Sequence, residues 1–198
     1  MVQGWQVVLI AIVFEGALGL AGWGLSTWLG VPLAPRLVLS PAVGLRCALA
    51  SAPMFLLLAY ITRTRWKPLA DLRTQVESLV GEFFRGVSWP GLAAVSIAAG
   101  VGEEVLFRGA LQPLAERWWG PTIGLVATSV LFGAAHMVSR VYFVFAMAVG
   151  MYLGWLAQQT GELLTPITVH AAYDFVALLV LRSRAASNAI EVPAPIVQ

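Results

Sequence analysis

Residues 89–109 read WPGLAAVSIAAGVGEEVLFRG, and this stretch decides the fold. Trp89-Pro90 suits a first helical turn, because proline has no N–H to leave unpaired there and its fixed φ is already helical. From Trp89 to Gly102 no side chain is charged, so the helix is apolar all round and belongs in lipid or among other helices. No polar loop follows. Glu103, Glu104 and Arg108 simply continue the apolar helix. The rest of the chain has the same balance: of 198 residues, 59% are hydrophobic and 11% charged, with a mean hydropathy of +0.82. A soluble domain carries about 25% charged residues. A water-soluble globule is excluded, and the fold predicted is all-α, a polytopic transmembrane helical bundle with about six spans of about 20 residues each.

Working outward, apolar stretches at 5–29 and 37–62 precede the quoted segment, and others follow at 121–138, 141–159 and 163–181. The first is too long for a secretory signal and has no basic residue in Met1 to Gln6, so it is read as a span. Gly30 to Pro35, followed by Arg36, separates it from the second. Between 63 and 88 lies the one sizeable polar loop, with an amphipathic piece, Val76 to Phe84, that puts Glu77, Glu82 and Arg85 on its polar side. Residues 1–198 are therefore one integral membrane domain, with two N-terminal spans in 1–62 and a small-residue and proline-rich tail from Arg182 to Gln198 that reads as frayed. If the basic loop is cytoplasmic, Arg63, Arg65, Lys67, Arg73, Arg85, Arg140, Arg182 and Arg184 fall inside, Arg36 and Arg117 outside, and both termini are cytoplasmic. A net charge of +2 gives no argument for nucleic acid. The single cysteine, Cys47, excludes an intramolecular disulfide and reads as a buried core residue.

Ionisable groups inside spans cost about 2.5–3.5 kcal/mol each on insertion scales, so each is a functional candidate. They are Glu15, Arg46, Glu103, Glu104, Arg108, His136, His170 and Asp174, and they include both histidines of the chain. Glu104 and Arg108 stand at i,i+4 and can pair, which leaves Glu103 without a local partner. A carboxylate in that position is a stronger base than one in water. Phe132 and His136 share a helix face, with Gly133, Ala134 and Ala135 between them allowing close helix approach. His170 and Asp174 share another, preceded by Pro166, which is expected to loosen the local helix. Straight helices would put His136 near one end of its span and Glu103 and His170 deeper, unless the third helix starts earlier or tilts. By elimination, there is no His-Glu-x-x-His, no second intramembrane aspartate beside Asp174 and no Gly-x-Ser-x-Gly elbow. What remains is a carboxylate with two imidazoles.

Glu103-Glu104-x-x-x-Arg108, Phe132-x-x-x-His136 and His170-x-x-x-Asp174, in that order and with Thr160 to Pro166 leading into the third, resemble the CPBP family of intramembrane endopeptidases. These are the CAAX prenyl protease 2 type and its bacterial bacteriocin-processing and immunity relatives. The resemblance covers about residues 88–182 and leaves the first two spans without a signature. It implies a glutamate-dependent peptidase of a bacterial plasma membrane, needing no cofactor and acting on a membrane-associated peptide or protein that is prenylated in some relatives. Glu103 with His136 would deprotonate a water, His170 would donate to the oxyanion, and Glu104, Arg108 and Phe132 would support them. Asp174 stands where the family has Asn or Asp; it would either donate as a neutral acid or pair with His170. Two alternatives stay open: a zinc peptidase with Glu103 or Glu104, His136 and His170 as ligands, and a non-enzymatic immunity or partner protein. The oligomeric state is not encoded in any motif.

Overall fold

The computed structural model describes residues 3–37, 39 and 41–190. Among the described residues seven α-helices follow in order: α1 Gly4–Trp28, α2 Pro41–Arg63, α3 Lys67–Phe84, α4 Trp89–Leu106, α5 Gln112–Ala135, α6 Arg140–Thr160 and α7 Leu164–Ile190. A single π turn, Phe107–Leu111, joins α4 to α5 without interruption. Among the described residues there is no strand, so the chain is all-α as expected. Five helical runs are long and apolar enough to cross a membrane, namely 4–28, 43–63, 89–135, 140–160 and 164–188. The 47-residue run is two segments, because Gly120 breaks it at φ 81°, ψ 167°, a backbone open to glycine, and Pro121 starts the return.

That break makes a helical hairpin whose arms are in register. A Cβ on Gly124 would lie 2.6 Å from the Glu116 nitrogen, the Phe107 and Phe132 rings meet at 5.0 Å, and Glu103 reaches His136. The returning arm has only 15 residues, about 22 Å at 1.5 Å per residue, so it stops within the bundle instead of crossing it. The expected span 121–138 is therefore shorter, and the mismatch in depth between His136 and Glu103 disappears because the third helix runs on past Arg108. Strand-like loops are not needed to reach the site; a helix end does it.

α6 runs beside the ascending arm, held by side-chain bonds at a constant offset. Arg108 donates to the Gly150 carbonyl at 2.7 Å, Gln112 to that of Gly154 at 3.2 Å, and Gln158 to Glu116 at 2.8 Å. α7 packs antiparallel to α4: Gly100 faces Ala171, and Arg182 donates to the Val87 carbonyl. Met54, Leu58, Val80, Leu153, Val169, Tyr173 and Leu181 bring α2, α3, α6 and α7 into one apolar core. α1 stands at the edge, with only Gly22 and Ser26 buried. It contacts α4 through glycine: a Cβ on Gly22 would lie 2.6 Å from the Leu106 Cα, and one on Gly102 would strike the Glu15 carbonyl.

The structure corrects four details. Glu77 is not on a solvated face; it is 5% exposed and bonded by Arg184 at 2.5 Å and Asn188 at 3.3 Å, because α3 docks against the end of α7. Residues 182–190 are helical, held by that contact, while 191–198 of the expected frayed tail lie outside the described residues. Pro166 is the third residue of α7, where no intrahelical N–H is lost, so it loosens nothing. Arg46 is no buried charge of the site; it pairs with Glu162 at the turn after α6, where Gly161 takes φ 68°.

The basic residues segregate. Arg73 donates to the carbonyls of Ile61, Thr62 and Thr64, which closes the end of α2 onto α3, and with Arg182 and Arg184 it gathers the loop side of the bundle. At the other end Arg117 donates to the Leu29 carbonyl at 3.2 Å and Arg36 to that of Gly161 at 3.4 Å.

Candidate active site

The sequence-predicted residues converge from α4, the end of α5 and α7 on one cavity of about 370 Å³. Glu103 is 7% exposed, and its Oε1 lies 3.5 Å from His136 Nε2. His136 caps α5, and its Nδ1 is 2.8 Å from the Phe132 carbonyl. A carbonyl only accepts, so Nδ1 carries a proton and Nε2 is the nitrogen turned toward Glu103. Nε2 and the carboxylate then face each other across 3.5 Å. A shared proton, or a water offering one O–H to each, satisfies such a pair. Glu103 Oε2 is buried and has no hydrogen-bond partner among the described residues.

Glu104 is fully buried and holds two side chains. Its Oε1 accepts from Arg108 Nη1 at 2.8 Å and from His170 Nδ1 at 2.9 Å. The first bond follows from i,i+4 spacing, but the second joins residues 66 positions apart and no local pattern in the sequence signals it. On its other side His170 Nε2 lies 3.5 Å from Asp174 Oδ2. A carboxylate at each ring nitrogen is the arrangement a doubly protonated imidazole needs.

Phe132 separates the two imidazoles. It stacks on His136 at 4.5 Å and 29°, and meets His170 edge-on at 6.0 Å and 66°. Behind it the Arg108 guanidinium sits 4.6 Å from the ring centroid, a cation–π contact that also fixes the arginine. Phe132, 2% exposed, is thus the spacer that holds one imidazole to each side. Because both nitrogens of His170 face carboxylates other than Glu103, the set Glu103, His136 and His170 does not converge as zinc ligands. Among the described residues no group of three or more His, Cys, Asp or Glu side chains is arranged to hold a metal ion.

Two cavity residues were not part of the sequence-predicted site. Glu15 of α1 lines the wall beside Glu103, and Tyr142 of α6 faces Asp174. Glu15 was visible as an intramembrane acid; Tyr142, an aromatic in an apolar run, carries no signal by itself. From the Glu/His cluster the cavity continues between Leu58, Val76, Phe83, Phe145, Leu178 and Leu181, an apolar extension toward α2 and α3.

The fold and site define a helical integral membrane protein with a buried glutamate–histidine centre. Residues 85–176 match the family model described as Type II CAAX prenyl endopeptidase Rce1-like. Over that segment the chain is similar to the CPBP, or CAAX protease, family. It is 31% identical over 98 residues to the uncharacterized protein YpbD of Bacillus subtilis (strain 168). That similarity covers 48% of this chain and 48% of the relative, so about half of each lies outside it. No solved structure matches the chain.

Proposed function

We propose that this protein is an intramembrane endopeptidase that hydrolyses a peptide bond of a membrane-associated substrate with water activated by Glu103 and His136. The observation that carries this reading is the 3.5 Å approach of Glu103 Oε1 to His136 Nε2 in a buried cavity. A water bound beside the pair gives up a proton to Glu103, and its oxygen attacks the scissile carbonyl carbon. Negative charge develops on the carbonyl oxygen. His170, doubly protonated between Glu104 and Asp174, offers Nε2–H to it; in other enzymes loss of one such donor costs about 10²–10³ in kcat. Glu104 and Arg108 position His170 and Phe132 and do not touch substrate. No step requires a metal, and the basic end of the bundle is assigned to the cytoplasmic side by its excess of arginine.

The apolar extension of the cavity suits a substrate whose residues near the cut are apolar or carry a lipid. The experiment is incubation of detergent-purified protein with a proteome-derived peptide library that includes prenylated peptides, beside Glu103→Gln. Discrete cleavage by the wild type and none by the variant is expected, and the cleaved set identifies the substrate type. No cleavage by either protein supports a non-enzymatic partner instead.

A further inference from the structure

Glu15 comes from a helix outside the segment that matches the family, and it reaches the same cavity as Glu103, His136, His170 and Asp174. α1 is otherwise lipid-facing, with Trp5, Ile10, Val13, Phe14 and Leu20 exposed, so a carboxyl there is costly unless it has work inside the bundle. Its backbone is fixed. α1 lies against α4 at Gly102, the residue before Glu103, and any Cβ at Gly102 would strike the Glu15 carbonyl. Glu15 Oε2 is buried and has no hydrogen-bond partner among the described residues. The charged groups acting on it are Glu103, His170, His136 and Asp174.

We infer that Glu15 is a second catalytic carboxyl, the acid that protonates the leaving amine; this rests on the peptidase reading above. Two carboxyls in one apolar cavity do not both ionise readily, so one keeps its proton. Glu103 has His136 facing it across 3.5 Å, whereas Glu15 has no bonded partner, so Glu15 is the member that holds the proton. The step balances. Water loses a proton to Glu103 and its oxygen bonds the carbonyl carbon, while the π pair moves to the carbonyl oxygen. The tetrahedral intermediate then re-forms C=O and breaks C–N, and the nitrogen's electron pair takes the proton of Glu15. Glu15 is left as carboxylate and Glu103 as acid. Transfer of that proton from Glu103 back to Glu15 restores the site, the net reaction being water plus amide to acid plus amine.

An acid is needed for an amine leaving group and not for a phenolate, which leaves unprotonated. The test therefore compares a cleaved peptide with the p-nitrophenyl ester of its acyl half, in wild type, Glu15→Gln and Glu103→Gln. Glu15→Gln is expected to lower amide kcat by about 10²-fold or more with little change on the ester. Glu103→Gln is expected to lose both. Equal loss on amide and ester, or no loss on the amide, overturns the role of Glu15. Full peptide cleavage by Glu103→Gln overturns the peptidase mechanism itself and is read without reference to Glu15. Should Glu15→Gln not fold, Glu15→Asp decides: a fall in its amide-to-ester ratio supports the acid, and an unchanged ratio overturns it.

Discussion

Glu104 accepts from Arg108 and His170 with one oxygen, and Arg108 in turn is 2% exposed and bonded to the Gly150 carbonyl. Replacing Glu104 with Gln removes the charge that Arg108 was buried against. Breaking a buried pair from one side costs about 3–5 kcal/mol in soluble proteins. Glu104→Gln should therefore melt at lower temperature in detergent and lose rate as well, since His170 loses an orienting acceptor. Glu103→Gln should lose rate while melting close to wild type, because Glu103 pairs with no arginine or lysine and its one contact, with His136, is a longer one of 3.5 Å. Equal melting temperatures for the two variants would contradict this division between positioning and chemistry. Local spacing was enough to foresee Glu104 with Arg108 and His170 with Asp174, each one helical turn apart. It was not enough for Glu104 with His170 or Glu77 with Arg184, whose partners lie 66 and 107 positions away.

At the scale of the element, the α1–α4 contact rests on glycines that let two backbones touch. Gly102→Leu should push α1 away from α4, lower the melting temperature and reduce activity, since the displaced wall carries Glu15. Gly16→Leu is the matched control, because a Cβ there meets nothing within 4 Å. If both variants melt and turn over alike, α1 is a detachable edge helix and not part of the site. The span itself was legible from its apolar length, but its partner was not, because a glycine stripe states that some backbone approaches without saying which. The hairpin was half legible. The apolar run at 121–138 read as a segment, yet only the register of Phe107 against Phe132 shows that the segment ends at the depth of Glu103.

Across the whole molecule, six membrane segments and an amphipathic α3 enclose a cavity whose polar end holds the Glu/His centre and whose apolar end meets α3. The arrangement explains how one helix end, His136 at the close of a 15-residue arm, can face a carboxylate in the middle of a longer helix. It also separates labour. The family-matching segment 85–176 carries Glu103, His136, His170 and Asp174, the residues proposed for water activation and oxyanion donation, and α1 adds Glu15 to the wall. The central claim is that Glu103 and His136 activate water without a metal ion. It is tested most directly by cleavage of one identified peptide by wild type and Glu103→Gln, each before and after exhaustive dialysis against a strong chelator, with elemental analysis of the dialysed protein. The account predicts that dialysed wild type keeps its full rate with no stoichiometric metal and that Glu103→Gln has none in either state. Activity lost on dialysis and restored by zinc would contradict it.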